Sequence, residues 1–344
     1  MKHLFLTTML IMSVLSHANA CSRITYTTTG GNVITGRTMD WLGTDDVELR
    51  VMPRGEQHTS DVSGAATWES KYGSVVTYSY NYIANSGVNE KKLAVDALYL
   101  YGSKYPDAQG QDNKISTAMM VQYLLDNFET TADVVKYFEN NPLPVVVEGV
   151  TGQISGYPLN LHYIVTDKSG DNAIIEYIDG TVKVHHIKGR VVLTNDPSFD
   201  KISAVRDYFV EAGIDGSMPG SSLSQARFVY LTGWLDQFTN NELQGYLPGI
   251  KNKSFANQMA YSVLSLMRGV STPLGVEISM EKPNNTSTVW RTVSDVTNGR
   301  FYFDSVLTPT TMWIDIDDVD FAKPGSVDVS GNTTLHGDVT ELLK

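Results

Sequence analysis

The sequence predicts an α+β fold in which strands and helices form separate layers. Strand-like and helix-like segments occur in groups, without the strict alternation that a parallel βαβ sheet requires. The composition, with 42% hydrophobic and 19% charged residues, is typical of a globular protein. The sequence contains no internal repeat, low-complexity tract or clear linker, so we expect residues 21–344 to form a single domain.

Alternating apolar residues predict strands, and apolar residues at helical spacing predict helices. Beyond an N-terminal hairpin, strands are predicted at 73–82, 92–102, 159–195, 288–305 and 311–316. Helices are predicted at 113–127, from a Thr131 cap to Tyr137, and at 200–212, 222–238 and 253–268.

The first twenty residues have the pattern of a signal peptide. Lys2 and His3 give a basic start, and Leu4–Leu15 is largely apolar but too short to span a membrane. Ala18–Ala20 then supplies the small-x-small pattern that a signal peptidase recognises. Cleavage there would make Cys21 the first residue of an exported protein.

Cys21 is the only cysteine in the chain, so it has no partner for an intrachain disulfide. Three roles are open to it. Lipid attachment would favour leucine three residues before the cysteine, where this chain has Ala18. A buried structural cysteine is common but gives no reason for a position at the cleavage point. The third role is that of an N-terminal nucleophile.

A thiol on the first residue suits nucleophilic catalysis. A free α-amino group has an unperturbed pKa of about 7.7–8.0 and a cysteine thiol one of about 8.5, so both exchange protons near neutrality. The amine can take the proton of its own thiol and later give a proton to a leaving amine. A nearby cation would favour the thiolate, and a carboxylate could hold the amine.

The next twenty residues offer both groups on a predicted β-hairpin. If Gly30-Gly31 forms a two-residue turn, Cys21 lies directly opposite Asp40. If the turn has three residues, Arg37 and Met39 fall on the face of Cys21 instead. The sequence leaves both registers open, and a bulge could satisfy both demands. In either case Arg37 would lower the thiol pKa, and Asp40 would accept a hydrogen bond from the α-amine.

The remaining composition argues against other classes of function. A net charge of −12 without a basic stripe makes the chain a poor candidate for binding nucleic acid. The histidines of the mature chain show no i, i+4 pair, and no second cysteine accompanies Cys21, so no metal site is predicted. No G-x-S-x-G motif for a serine nucleophile is present.

Several separated segments agree in order and spacing with one known family. They are CSR, GRTMDW, SKYGSV at 70–75, GVNEKKL at 87–93, LTNDPSFD at 193–200, ARFVYL at 226–231, STPLGV at 271–276 and WRTVSDVTNGRFYFDS at 290–305. Over essentially the whole mature chain, the sequence resembles the choloylglycine hydrolase family of penicillin V acylases and conjugated bile salt hydrolases. It is most similar to the periplasmic acylase branch from Gram-negative bacteria.

This resemblance implies a four-layer αββα N-terminal-nucleophile hydrolase fold, with two stacked antiparallel sheets between helix layers. It implies a homotetramer, no cofactor and a location in the periplasm. It also implies roles for site residues. By position in the motifs, Cys21 matches the nucleophile, and Arg37 and Asp40 match the residues that stabilise its thiolate and hold its amine. Asn195 and the backbone N–H of Tyr99 match the oxyanion hole. Arg227 matches a second active-site arginine.

The sequence departs from the family pattern at two places. Lys92 stands where glycine is usual, and Asp196 stands where serine or alanine often follows the asparagine, which predicts a more polar pocket rim. Tyr99 stands where bile salt hydrolases tend to have asparagine, which favours a penicillin V acylase. Met39, Trp41 and Tyr99 would suit an apolar or aromatic acyl group.

The function predicted from the sequence is therefore hydrolysis of a small-molecule linear amide through a thioester. Penicillin V is the favoured substrate, acyl-homoserine lactones are a further possible substrate, and bile salts are the alternative within the family. The alternative from another class is a lipid-anchored binding protein with an acylated Cys21.

Overall fold

The computed structural model describes residues 21–41, 46–151, 155–212, 222–240, 255–275 and 286–343. The predicted signal peptide, residues 1–20, lies outside this range. Within the described residues the chain forms nineteen strands and five α-helices. None of these helices combines the length and apolar character that crossing a bilayer requires.

Two large sheets contain most of the strands. Sheet I has the strand order β14-β1-β2-β15-β16-β17-β19 and sheet II the order β13-β12-β11-β8-β7-β6-β3-β18. The strands are β1 Ser22–Thr27, β2 Val33–Trp41, β3 Val47–Met52, β4 Gln57–Thr59, β5 Thr67–Glu69, β6 Ser74–Ser79, β7 Ile83–Asn89, β8 Ala94–Tyr99, β9 Ile115–Ser116, β10 Val145–Val146, β11 Leu161–Thr166, β12 Asp171–Ile178, β13 Thr181–Lys188, β14 Val191–Thr194, β15 Ser287–Asp295, β16 Arg300–Ser305, β17 Met312–Asp315, β18 Gly325–Asp328 and β19 Gly337–Asp338.

The helices cover the outer faces of the two sheets. They are α1 Met120–Asn127, α2 Thr131–Asn140, α3 Phe199–Glu211, α4 Ser224–Asn240 and α5 Phe255–Gly269. Helices α4 and α5 pack on sheet I, and α1 and α2 pack on sheet II. Apart from the short parallel pair β17–β19, both sheets are antiparallel. The predicted αββα layering is confirmed.

Strand β1 shows how alternation separates the layers. Arg23 and Thr25 face sheet II, where they bond to side chains of its strands. Ile24 and Tyr26 point to the other face and pack in the cluster that includes residues of α4 and α5. Successive side chains of a strand point to opposite faces, so one segment serves both layers.

The hairpin formed by β1 and β2 follows neither predicted register. Arg23 pairs with Arg37, and the turn contains the five residues Thr28–Asn32. The turn is longer because Thr28 closes it: the Thr28 N–H donates to the Asn32 carbonyl at 2.9 Å, and the Thr28 hydroxyl accepts the Asn32 N–H at 3.0 Å. Arg37 and Met39 therefore share the face of Cys21, as the three-residue turn predicted, but Asp40 is not directly opposite Cys21.

Two helix predictions also need correction. The helix predicted at 113–127 begins at Met120, because Asn113 has a left-handed φ of 58° and Ile115–Ser116 pairs with β10 as a short strand. The cap of α2 is Thr130 rather than Thr131, since the Thr130 hydroxyl accepts the Asp133 N–H at 3.2 Å. The other predicted helices agree within a few residues, although 253–254 lie outside the described residues.

Gly36 on β2 allows α5 to lie close to sheet I. A Cβ at this position would lie 2.5 Å from Val263 Cγ1 and 3.0 Å from Met267 Cγ. We expect Gly36→Ala to lower the free energy of unfolding by about 1–3 kcal/mol, because a well-packed interface must shift to admit the methyl group. Chemical denaturation would measure the change.

The matched control is Gly30→Ala in the turn, where the added Cβ meets nothing nearer than 3.7 Å. This variant should keep the stability of the parent. Equal losses in both variants would contradict the close approach of α5.

Candidate active site

Cys21 directly precedes β1, the strand that β14 and β2 flank. Ser22 pairs with Thr194 on one side and with Thr38 on the other. In the same registers the next position places Cys21 beside Asn195 and beside Met39. Residues from three parts of the chain therefore meet where the predicted mature chain begins.

The thiol of Cys21 is buried against the backbone of β2. Its Sγ accepts the Asp40 N–H at 3.4 Å and lies 3.6 Å from the Asp40 carbonyl oxygen. Burial raises the pKa of the Cys21 thiol, and the positive charge of Arg37 acts in the opposite direction. Arg37 is thus the group that offsets the cost of burying a thiolate.

Arg37 is a buried cation held mainly by neutral groups. One terminal nitrogen donates to the Asn85 carbonyl at 3.0 Å and the other to Met39 Sδ at 3.1 Å. Its guanidinium carbon lies 5.0 Å from the centroid of the Trp290 ring. Within the described residues Arg37 forms no ion pair, and its Nε has no hydrogen-bond partner. An anion at Cys21 would supply the missing negative charge.

A bulge orients the carbonyl that Arg37 uses. Strands β6 and β7 change register between the pairs Thr77–Ser86 and Tyr78–Ala84, so Asn85 is the extra residue. The Asn85 side chain bonds to the Ser79 hydroxyl at 2.8 Å and to the Ile83 carbonyl at 3.1 Å. These bonds hold the bulge in place, and bulges of this kind often lie beside active sites.

Asp40 and Arg227 form a buried ion pair beside the thiol. Asp40 accepts hydrogen bonds from Arg227 and, at 2.6 Å, from the Thr288 hydroxyl. Arg227 lies on α4 and also donates to Thr272, whose N–H donates to the Thr288 hydroxyl at 2.8 Å. A bulge at Val289 in β15 separates the pair Thr288–Asp40 from the pair Trp290–Met39. The network fixes the Asp40 carboxylate one residue beyond the position opposite Cys21.

The two predicted oxyanion-hole residues come from different sheets. Asn195 directly follows β14, is buried, and its Oδ1 has no hydrogen-bond partner among the described residues. Tyr99 ends β8, and the neighbouring Leu100 N–H donates to the Asn160 carbonyl at 2.8 Å. Because N–H groups alternate along a strand, the Tyr99 N–H points away from Asn160. The pairing of β8 with β7 has already ended at Asp96, so within the described residues no strand pairs with Tyr99 on that side.

An aromatic pocket adjoins the thiol. Its lining residues are Cys21, Arg37, Met39, Trp41, Ser79, Tyr80, Ile83, Asn85, Ala97, Tyr99, Leu159 and Leu161. Trp41 donates to the Tyr80 hydroxyl at 2.8 Å, and Tyr157 contacts both Trp41 edge-on and Tyr99 by stacking. All three residues predicted to bind substrate, Met39, Trp41 and Tyr99, therefore line the same pocket. Its apolar walls suit an acyl chain.

A family model described as linear amide C–N hydrolases, choloylglycine hydrolase family, matches residues 21–335 of this chain. The chain belongs to the choloylglycine hydrolase family. It is accordingly a hydrolase of linear amide C–N bonds. The match begins at Cys21, the residue that the sequence predicts to start the mature protein.

Individual choloylglycine hydrolases are also similar to this chain in sequence or in structure. Penicillin V acylase from Pectobacterium atrosepticum is 34% identical over 304 residues, which cover 85% of this chain and 79% of that protein. The structure of penicillin V acylase from Agrobacterium tumefaciens matches with a TM-score of 0.79 at 34% identity, covering 94% of this chain and 97% of that one. A variant of conjugated bile acid hydrolase from Clostridium perfringens has a TM-score of 0.73 at 18% identity, covering 92% and 99%. This last likeness supports the fold alone.

Sequence reasoning missed several residues of this choloylglycine hydrolase site. They are Tyr80, Asn85, Tyr157, Thr272, Thr288 and Trp290. The tyrosine-rich run around Tyr80 could have indicated an aromatic lining of the site, because it lies at the end of a predicted strand. No local sequence pattern indicates the two bulges, since each depends on how its strand pairs with a neighbouring strand.

The two departures from the family pattern have different positions. Asp196 adjoins Asn195 at the site. Lys92 precedes β8 at the end opposite Tyr99 and donates to Asp317 at 2.8 Å. The prediction that both residues make the pocket rim more polar is therefore wrong for Lys92.

In the described part of the chain, no group of three or more His, Cys, Asp or Glu residues is arranged to hold a metal ion.

The position of Arg37 predicts its effect on the thiol. We expect Arg37→Gln to raise the pKa of Cys21 by at least about one pH unit, because the opposing positive charge is lost while burial remains. The rate of alkylation by iodoacetamide as a function of pH would report this change.

Arg50→Gln is the matched control. Arg50 also lies over an aromatic ring, 4.6 Å from the centroid of Tyr78, and donates to a backbone carbonyl, that of Asn81, at 2.9 Å. Alkylation of this variant should follow the parent curve. An unchanged midpoint in Arg37→Gln would show that Arg37 does not stabilise the thiolate.

Proposed function

We propose that this chain is a penicillin V acylase that uses Cys21 as an N-terminal nucleophile. The observation on which this proposal chiefly depends is the position of Cys21. The thiol directly precedes β1, accepts the Asp40 N–H, and adjoins a buried Arg37 that forms no ion pair within the described residues. The family match that begins at the same residue supports it.

The proposed reaction starts with transfer of the thiol proton to the α-amine of the cleaved chain. Sγ then bonds to the acyl carbon, and the carbonyl oxygen becomes an anion bound by the Asn195 amide and the Tyr99 N–H. Collapse of this intermediate breaks the C–N bond. The α-ammonium gives its proton to the leaving nitrogen, and an acyl thioester remains on Cys21.

Water completes the reaction. It adds to the thioester carbon while one of its protons passes to the α-amine, and the same donors bind the second oxyanion. The C–S bond then breaks, the carboxylic acid leaves, and the proton returns to sulfur. No step in this scheme requires a cofactor. The buried Asn195 Oδ1 offers the α-amine a hydrogen-bond acceptor beside Cys21.

The pocket supports an aromatic acyl group as substrate. Trp41, Tyr80, Tyr99 and Tyr157 contact one another around the cavity next to the thiol, an arrangement that suits the phenoxyacetyl group of penicillin V. The aliphatic part of the lining favours acyl-homoserine lactones as a second substrate class. The two relatives with 34% identity are both penicillin V acylases, whereas the bile acid hydrolase shares only 18%.

The proposal extends to processing, location and assembly. Residues 1–20 would direct export and be removed, which leaves residues 21–344 as a single hydrolase domain in the periplasm. The basic start, apolar run and Ala18–Ala20 motif support export. We propose a homotetramer from the family resemblance. Cell fractionation and light scattering of the purified protein would test location and assembly.

Processing and catalysis should depend on the same residue. The purified protein should begin at Cys21 with an unmodified thiol, and Cys21→Ala should lose at least about 10³-fold in kcat on phenoxymethylpenicillin, because the nucleophile is gone. Ala20→Phe should block cleavage and leave an inactive precursor, because the α-amine stays within a peptide bond. N-terminal sequencing, intact mass and kinetics measure these outcomes.

Two results would contradict this part of the proposal. Added acyl and glyceryl mass on Cys21 would indicate a lipid anchor. Full activity of a chain that begins at another residue would exclude the N-terminal nucleophile.

Substrate preference provides a separate test of the pocket. Turnover of phenoxymethylpenicillin should exceed that of glycocholate, and Trp41→Ala should lower kcat/KM for the phenoxyacetyl amide about 10- to 100-fold, because an aromatic wall is lost. Trp234→Ala on the outer helix α4 is the control and should match the parent. Glycocholate as the best substrate would favour a bile salt hydrolase instead.

A further inference from the structure

Asp196 joins the two chain segments that bear the proposed oxyanion hole. It directly follows Asn195, and its side chain reaches the residues that follow Tyr99. Asp196 Oδ2 accepts the Tyr101 N–H at 3.0 Å, and its Oδ1 accepts the Gly102 N–H at 3.2 Å. One carboxylate therefore connects the end of β14 with the end of β8.

This connection crosses between sheets. Asn195 extends a strand of sheet I, and Tyr99 ends a strand of sheet II. No β-ladder joins β14 to β8, so backbone pairing does not set the separation of the two donors. An oxyanion needs both donors at hydrogen-bond distance from one position. A side-chain link between the two segments supplies the missing constraint.

The Asp196 carboxylate is well suited to link the two segments. A carboxylate that receives two backbone N–H groups forms stronger hydrogen bonds than a neutral acceptor does. Burial raises the pKa of Asp196, and the two N–H donors act in the opposite direction. The serine or alanine that often stands here in the family could not receive both bonds with a short side chain.

The segment that begins at Asn195 is also anchored at its far end, Phe199. The Phe199 N–H, at the start of α3, donates to both oxygens of Glu176 at 3.0 and 3.1 Å. Burial alone would raise the pKa of Glu176, but hydrogen bonds from His162, His185 and Phe199 lower it to about 2. The segment from Asn195 to Phe199 is thus held by an acidic side chain near each end.

We propose that Asp196 is a positioning residue that holds Asn195 and the Tyr99 N–H at the separation the oxyanion requires. This inference rests on the proposed function, because the oxyanion hole belongs to the amide hydrolysis described above. Displacing one donor by about 1 Å is expected to cost about 10²-fold in rate. The effect falls on the chemical step and not on the thiol itself.

The test compares two reactions of Cys21 in Asp196→Ala. Amide hydrolysis of phenoxymethylpenicillin builds an oxyanion, whereas alkylation by iodoacetamide displaces iodide and does not use the hole. We expect kcat to fall about 10- to 100-fold with KM within about threefold, and the alkylation rate to stay within about twofold of the parent. Asp196→Asn keeps one acceptor oxygen and should show an intermediate loss of kcat.

Asp167→Ala is the matched control. Like the half-buried Asp196, the buried Asp167 joins two segments, accepting the Thr131 N–H at 2.9 Å and the Ser169 N–H at 2.8 Å. Its loss should lower the melting temperature and leave kcat within about twofold. The comparison of the two variants therefore distinguishes a role of Asp196 in positioning the oxyanion hole from a general role in stability.

The remaining outcomes overturn the inference. They are an unchanged kcat in Asp196→Ala, a parallel fall of hydrolysis and alkylation, an equal loss of kcat in Asp167→Ala, or failure of both Asp196 variants to fold. None of these results tests whether Cys21 is the nucleophile. A fully active Cys21→Ala would refute the proposed function instead, so the two failures are distinguishable.

Discussion

The ion pair between Arg23 and Asp96 is the interaction on which the geometry of the site depends. Arg23 Nε lies 3.0 Å from Asp96 Oδ2, and the Arg23 side chain is fully buried. The pair joins β1 of sheet I to β8 of sheet II. Cys21 lies two residues before Arg23, and Tyr99 lies three residues after Asp96. This contact between the sheets therefore aligns the nucleophile with the strand that ends at the proposed oxyanion hole.

Burying this pair is costly, since desolvation costs several kcal/mol per ion. The surrounding polar groups reduce that cost: Arg23 also donates to Thr166 at 2.7 Å, and Thr25 donates to Asn172 at 2.7 Å. Arg37 lies directly opposite Arg23 in the ladder but has no carboxylate of its own among the described residues. Of two neighbouring buried arginines, one is neutralised within the fold and the other remains available to an anion at Cys21.

Much of the fold and of the site could be predicted from the sequence wherever a feature depends on residues that are near one another in the chain. Periodicity identified most strands and helices, and the single cysteine after a cleavage motif identified Cys21. The hairpin register was not predictable from the glycines, because the Thr28 side chain closes a longer turn. Asn85 and Thr288 escaped notice because their positions depend on bulges between paired strands. Thr288 lies 248 residues from the carboxylate it bonds, and no local pattern encodes such a contact.

The five-residue turn Thr28–Asn32 has a consequence for how this protein can vary. Because side chains alternate along a strand, a length change in the turn that shifted β2 by one residue against β1 would exchange the faces of Arg37 and Asp40. The guanidinium would then point toward the helices and the carboxylate toward the thiol. A shift of two residues would preserve both orientations. Length changes in this turn are therefore compatible with the site only where the pairing of β1 with β2 is kept or shifts by an even number of residues.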